Sequence, residues 1–231
     1  MEIFEREEIV IGTSNLEKLT KARVCVFGVG GVGGFAVEAL VRAGIGNIDV
    51  VDNDIVVPSN LNRQIIATLN TLGQSKVDVI ESRIKSINPN CIVNKYNLFY
   101  EPNMDFDFNK YDYVIDCIDS LKSKFDLILR CKKNNVKIIS SMGMGNKINP
   151  LDIEVSDIFK TSVDPIAKKL RKYLKDNHIN SLKVVYSKEA PLKMIETKTT
   201  GSVSFVPSVA GLIIASEVIK DICGIKNRKG A

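Results

Sequence analysis

Residues 25–40, CVFGVGGVGGFAVEAL, pass from an apolar strand pattern through five glycines into a helical pattern without interruption. An apolar run that stops at glycine and restarts with a period near 3.6 predicts a strand, a tight turn and a helix. Gly28, Gly30, Gly31 and Gly33 fit GxGxxG in that setting. Glycines there let the backbone approach a phosphate, and the helix N-terminus favours its negative charge.

The same alternation continues downstream. RVCVFG (23–28), NIDVVDND (47–54), CIVNKYN (91–97), YDYVIDCID (111–119) and VKIISSMG (136–143) read as strands. Between them, GGFAVEALVRAG, GQSKVDVIESRIKSINP and SLKSKFDLILRCKKNN read as helices, the second with Ile80, Ile84 and Ile87 on one face. Strands alternating with helices over 23–143 predict a Rossmann-like, doubly wound α/β fold with a mainly parallel sheet. Ligands of such sheets sit at the carboxyl ends of the strands. Gly28 to Gly34, Asp52 to Asp54, and Asp116 with Asp119 all fall there.

After Pro150 the pattern continues as an α/β extension of the same domain. LDIEVSDIF, KVVYSKE and GSVSFVPS read as strands, and APLKMIETKTT is a polar loop that is either a lid or a plain connection. DPIAKKLRKYLKDN reads as a helix with Asp164 as N-cap and Pro165 at its first position. VAGLIIASEVIKDIC is the last helix. Residues 1–231 thus read as a single domain, with 1–145 as the nucleotide-binding module and 146–231 as a substrate-facing extension.

Hydrophobic content of 45% and charged content of 26% are those of a soluble globular chain of 231 residues. MEIFEREEIVIG opens acidic and carries no signal-peptide pattern. The charge-free stretch Gly201 to Ser216 contains Pro207 and is shorter than the ~20 residues that span a bilayer. A cytoplasmic protein is expected, with peripheral membrane contact through the last helix left open. The five cysteines form no CxxC pair, so no structural zinc is expected. Residues 1–120 carry 11 Lys and Arg against 17 Asp and Glu, whereas 121–231 carry 21 against 10. An acidic, metal-handling half beside a face that attracts a polyanion would account for the split, as would a solvated lysine surface.

Several residues turn the glycine loop away from a dinucleotide. Asp52 ends the second strand and is placed for ribose hydroxyls. Arg63 follows eleven residues later in SNLNRQ, and GQSK adds Lys76. Two cations beyond the ribose carboxylate suit a triphosphate, whose extra charge needs neutralising. Asp119 is placed to hold the Mg²⁺ that accompanies ATP.

GxGGxG, VDxD, SNLNRQ, GxxK and DCID, in this order over residues 5–145, resemble the E1-like adenylating family, which includes ubiquitin-activating enzymes and bacterial sulfur-carrier adenylyltransferases. The resemblance implies ATP as nucleotide, with Gly31 near the phosphates, Asp52 on the ribose, Arg63 and Lys76 on the triphosphate, and Asp119 serving Mg²⁺ and nucleotide. Asn60 becomes an auxiliary phosphate contact, and Asp54 shapes the turn. Arg6 of FEREE matches the family's N-terminal arginine, which implies a homodimer in which Arg6 reaches the partner's site.

IISSMGMGNKINP, VSDIFKTSVDPIAKKLRKYLK, KVVYSKE and GSVSFVPSVAGLIIASEVIKD extend the resemblance, over nearly the whole chain, to the bacterial tRNA threonylcarbamoyladenosine dehydratases. That resemblance implies adenylation of a carboxylate beside the tRNA anticodon, followed by ring closure. The alternative is an adenylyltransferase for the C-terminal Gly-Gly of a small sulfur-carrier protein, and a sulfur-mobilising partner stays open. No cysteine lies between Cys131 and Cys223, so ring closure by an internal nucleophile is expected without a covalent enzyme intermediate. For tRNA, KKLRKYLK offers Lys168, Lys169, Arg171, Lys172 and Lys175 on one helix, with Ile166, Leu170, Tyr173 and Leu174 toward the core. Lys147 is expected to reach the mouth of the nucleotide site. His178, the sole histidine, is expected on the surface.

Overall fold

A computed structural model describes residues 3–226. Seven strands among those residues form one sheet: β1 (Arg23–Phe27), β2 (Asn47–Val51), β3 (Ile92–Tyr96), β4 (Tyr113–Asp116), β5 (Lys137–Ser141), β6 (Ile153–Asp157) and β7 (Lys183–Ser187). Their spatial order is β3-β2-β1-β4-β5-β7-β6. All neighbours pair in parallel except β6 and β7, which are antiparallel at one edge. The helices are α1 (Glu5–Ile11), α2 (Thr13–Lys21), α3 (Gly33–Arg42), α4 (Lys76–Ile87), α5 (Leu121–Lys133), α6 (Pro165–Asp176) and α7 (Phe205–Cys223).

Alternation along the strands divides the core in two. Val24 and Val26 of β1 face a cluster that holds Val37, Leu40, Ile80, Ala210 and Ile214, from α3, α4 and α7. Cys25 and Phe27 face the other cluster, with Leu127, Ile128, Leu170 and Leu174 from α5 and α6. Burial on both faces is why the central strands read as unbroken apolar runs. Between β3 and β4 no helix crosses over. Phe27 instead meets Tyr100, Phe106 and Phe108, with ring centroids 5.1, 5.2 and 6.1 Å away. This aromatic packing does the covering that a crossover helix does elsewhere.

The strand expected at 201–208 is absent. Residues 201–204 are irregular, and α7 starts at Phe205. Val206, Ala210, Ile214 and Val218 are buried at a spacing of four, a helical stripe that continues the pattern upstream of Val209. Pro207 sits in the first turn, where amides have no intrahelical acceptor to lose. The sequence reading also left out α1 and α2. Among the described residues, α1 buries none, so it offers no apolar period to detect. No helix among the described residues is long and apolar enough to cross a membrane.

Helix α7 lies close against α3 because Gly211 lacks a side chain. A Cβ there would stand 2.3 Å from the Val32 carbonyl oxygen and 2.9 Å from Phe35 Cβ. Gly211→Ala should therefore lower the unfolding free energy by about 1–3 kcal/mol in urea denaturation. Ser216→Ala, on the exposed side of α7, should change it by less than about 0.5 kcal/mol.

Candidate active site

The loops that leave the carboxyl ends of the parallel strands enclose a cleft of about 550 Å³. Gly28, Gly30 and Gly31 line it from the β1 loop, Asp52 from β2, Asp119 from β4 and Met142 from β5. Gly33 stands behind the lining as the first residue of α3; a Cβ on it would meet the Gly28 carbonyl oxygen at 1.8 Å.

Asp52 is held by backbone. One carboxylate oxygen accepts from the Val29 amide at 2.8 Å and the other from the Asp54 amide at 2.9 Å. The end of β2 is thereby tied to the glycine loop, and each oxygen keeps a lone pair for a further donor. Asn60 is buried, and its Oδ1 accepts from the Val57 amide at 3.2 Å, closing the turn that leads to Arg63. The Arg63 guanidinium donates to the Ser59 carbonyl at 2.7 Å and to Asn62 Oδ1 at 2.9 Å. Lys76 opens α4 almost fully buried, with Nζ 2.7 Å from Asp54 Oδ2. Asp54 thus shapes the turn and also holds the lysine. Asp119 is exposed within the cleft. Among the described residues, no group of three or more His, Cys, Asp and Glu side chains is placed to bind a metal.

Other positions lie elsewhere. Arg6 is exposed on α1, outside the cleft of its own chain. Lys168, Lys169, Lys172 and Lys175 are exposed along α6, while Arg171 is half-buried and donates to the carbonyl and hydroxyl of Thr161. Asp164 caps α6 through the Ala167 amide, and Tyr173 stacks on Phe125 of α5 at 4.4 Å. Lys147 does not reach the cleft mouth. It is 4% exposed, donates to the Ser187 carbonyl at 3.1 Å, and burial pushes its pKa down. His178 lies on the surface two residues beyond the end of α6, with φ at +57°. Cys223 is buried, with its Sγ 3.8 Å from the Asn15 carbonyl oxygen. Cys117 lines the cleft, but burial, aided by the Asp116 charge, pushes its thiol well up. A thiol held protonated is a poor nucleophile.

Two cleft features escaped the sequence reading, and a third concerns the polar loop that it read as either a lid or a connection. Lys124 lies in the cleft wall at 1% exposure and donates to Asp116 Oδ2 at 2.7 Å, the Ser141 carbonyl at 3.1 Å and Ser140 Oγ at 3.3 Å. Its signal was present: Lys124 precedes Leu127, Ile128 and Cys131 by three, four and seven residues, so it occupies the buried stripe of α5. Gln64 is also in the wall, and its buried Oε1 has no hydrogen-bond partner among the described residues, which leaves an acceptor for a bound molecule. Finally, the polar loop returns to the cleft through Thr200 and Gly201. Asn146 clasps its two ends, donating to and accepting from the Gly201 backbone at 2.8 and 2.7 Å and accepting from the Leu192 amide at 2.6 Å.

The ThiF family model matches residues 4–231. The chain belongs to the ThiF family. The tRNA threonylcarbamoyladenosine dehydratase of Bacillus subtilis is 42% identical to this ThiF-family chain over 238 residues, covering 95% of the chain and 94% of that protein. The crystal structure of the E. coli tRNA N6-threonylcarbamoyladenosine dehydratase TcdA with AMP superposes with a TM-score of 0.90 at 35% identity, covering 96% of this chain and 94% of that one. The same E. coli protein with ATP gives a TM-score of 0.88 at 35% identity over 98% and 96%.

The buried pair of Lys124 and Asp116 yields a stability test. Lys124→Met leaves a carboxylate buried without its cation and should cost about 3–5 kcal/mol in urea denaturation. Adding Asp116→Leu should restore most of that loss, since paired apolar replacement of a buried ion pair is close to neutral.

Proposed function

We propose that this protein uses ATP to dehydrate threonylcarbamoyladenosine in tRNA, adenylating the carboxylate of the modification and closing a ring. The observation that carries the reading is the convergence of Asp52, Arg63, Lys76 and Asp119 on one cleft whose floor is the glycine loop. The similarity to the B. subtilis and E. coli dehydratases extends over nearly the whole chain and supports the same substrate.

In this reading the glycine loop and the α3 N-terminus receive the phosphates, and Asp52 receives the ribose. The substrate carboxylate attacks the α-phosphorus, and pyrophosphate leaves. A nucleophilic atom of the same modification then attacks the activated carbonyl. AMP departs with the carboxylate oxygen, which amounts to net loss of water. Because the second nucleophile is tethered, its effective concentration is high and no enzyme thiol is needed. Arg63 and Lys76 meet the charge that develops on the phosphates, and Asp54 keeps Lys76 aimed until they arrive. Asp119 would hold Mg²⁺ together with those phosphates, where the ion supplies further neutralisation. One exposed carboxylate beside a polyphosphate matches the way Mg²⁺ is usually bound.

The reading includes a homodimer in which Arg6 acts on the site of the other subunit. Two observations support it: Arg6 lies outside its own cleft, and the neighbouring Ile9 and Val10 are 77% and 83% exposed on the same short helix. The exposed lysines of α6 would hold tRNA phosphates, an interaction that weakens steeply with salt. A cytoplasmic location follows from such a substrate.

Incubation with ATP, Mg²⁺ and tRNA bearing open threonylcarbamoyladenosine, followed by nucleoside mass spectrometry, tests the reaction. ATP-dependent loss of one water from that nucleoside is expected. An unchanged nucleoside, with pyrophosphate exchange stimulated by a small Gly-Gly-ended protein, would assign the site to sulfur-carrier adenylation instead. Arg63→Ala and Lys76→Ala should each lower kcat/KM about 100-fold or more. Mixing Arg6→Ala with Asp52→Ala protein should restore activity, because each mixed dimer then has one intact site; no recovery would remove Arg6 from the partner's cleft.

A further inference from the structure

The turn between β6 and α6 is strained. Val163 is exposed and has φ at +63°, a left-handed conformation that is a genuine outlier for a β-branched side chain. The segment then brings Asp164, at 2% exposure, between two elements. Oδ1 accepts from the Ala167 amide at 2.8 Å and caps α6. Oδ2 accepts from the Gly143 amide at 3.2 Å and faces the Lys147 ammonium at 3.9 Å. Gly143 belongs to the loop after β5 and lines the cleft, as does Ile166, the second residue of α6.

A cap needs only one oxygen, and Ser or Asn supplies it as well as Asp. The second oxygen of Asp164 does something a cap does not require: it joins the N-terminus of the lysine-bearing helix to the wall of the nucleotide cleft. The rest of α6 is held by apolar contact, with Leu170 and Leu174 buried and Tyr173 stacked on Phe125, and by Arg171, which bonds only to Thr161 in the turn that leads into the same helix. Such packing selects the inward face of the helix but fixes its position along its axis only loosely. The hydrogen bond to Gly143 sets that position. Burying a carboxylate there is offset by Lys147, itself buried and anchored on Ser187.

We infer that Asp164 is a positioning residue for catalysis: it sets the register between the exposed lysines of α6 and the adenylation cleft. The inference rests on the tRNA reading above. RNA phosphates held by Lys168 and Lys172 and the carboxylate presented to the α-phosphate belong to one molecule. A helix displaced by an ångström therefore displaces the reacting carboxylate while leaving the phosphate contacts intact.

Asp164→Ser tests this, because serine can cap Ala167 but has no second oxygen for Gly143. The variant leaves the buried Lys147 without its facing carboxylate, so its denaturant midpoint should fall, while the folded protein should bind ATP and tRNA as the wild type does. Its kcat for tRNA dehydration should fall about ten- to a hundredfold, with KM unchanged. Asp164→Asn, which keeps the cap oxygen but turns an amide nitrogen toward Gly143, should behave in the same way, so the test survives if the serine variant folds poorly. Wild-type kcat in both variants would overturn the inference. So would a loss that appears in ATP or tRNA affinity with kcat preserved. A wild-type protein that leaves the nucleoside unchanged overturns the substrate reading itself, and shows as a failure before any variant is compared.

Discussion

The Gly28 carbonyl lies where a side chain on Gly33 would have to begin, and that close approach sets the geometry of the cleft. It brings the first turn of α3 down onto the end of β1, so the helix starts at the sheet edge rather than beyond it. The loop is then tied to the neighbouring strand, with the Gly28 amide donating to the Val51 carbonyl and the Val29 amide to Asp52. Because β1 is flanked in parallel by β2 and β4, the loops after all three strands emerge on the same side. The cleft follows from the chain direction of three strands and the absence of one carbon atom.

The features that the sequence disclosed are those governed by local pattern. Apolar runs that end in glycine or aspartate mark β1, β2 and β4, and Gly28, Asp52 and Asp119 at or just beyond their ends line the cleft. Asp164 and Pro165 announce the start of α6 because capping chemistry is local. What stayed hidden depends on contacts between distant segments. Lys147 reads as a cation near the cleft, yet it turns inward to Ser187, forty residues away in the chain. GSVSFVPS reads as a strand because β-branched and aromatic residues alternate there, but its valines serve the approach to α7 and that helix's packing on α3. The aromatic segment between β3 and β4 has no period at all, since its rings pack on Phe27 as a cluster and not as a face.

The basic charge of the second half is subject to the same distinction. Lys124, Lys147, Arg171 and Lys183 all belong to it, and each is tied to internal partners: Asp116, Ser187, Thr161, and Asp221 with Glu217. The net charge of the segment therefore overstates what a polyanion would meet. The exposed lysines of α6 are a smaller set, and their arrangement along one face of a helix capped by Asp164 gives them more directional value than a diffuse surplus would have.

Those internal cations also explain how the cleft can be shaped in advance of its ligand. Lys124 grips the loop after β5 from beneath through the Ser141 carbonyl, and Asp164 grips it two residues later through the Gly143 amide. Asn146 then fastens the same loop to the ends of the exposed 192–201 segment. Within six residues the chain is anchored to α5, to the head of α6 and to the loop that returns over the cleft. Each anchor uses a backbone group, so the side chains of Met142 and Met144 and the bare backbone of Gly143 and Gly145 remain as the surface offered to a bound molecule. Preorganisation of this kind moves the cost of ordering the site from binding to folding, where the apolar clusters on both faces of the sheet can meet it.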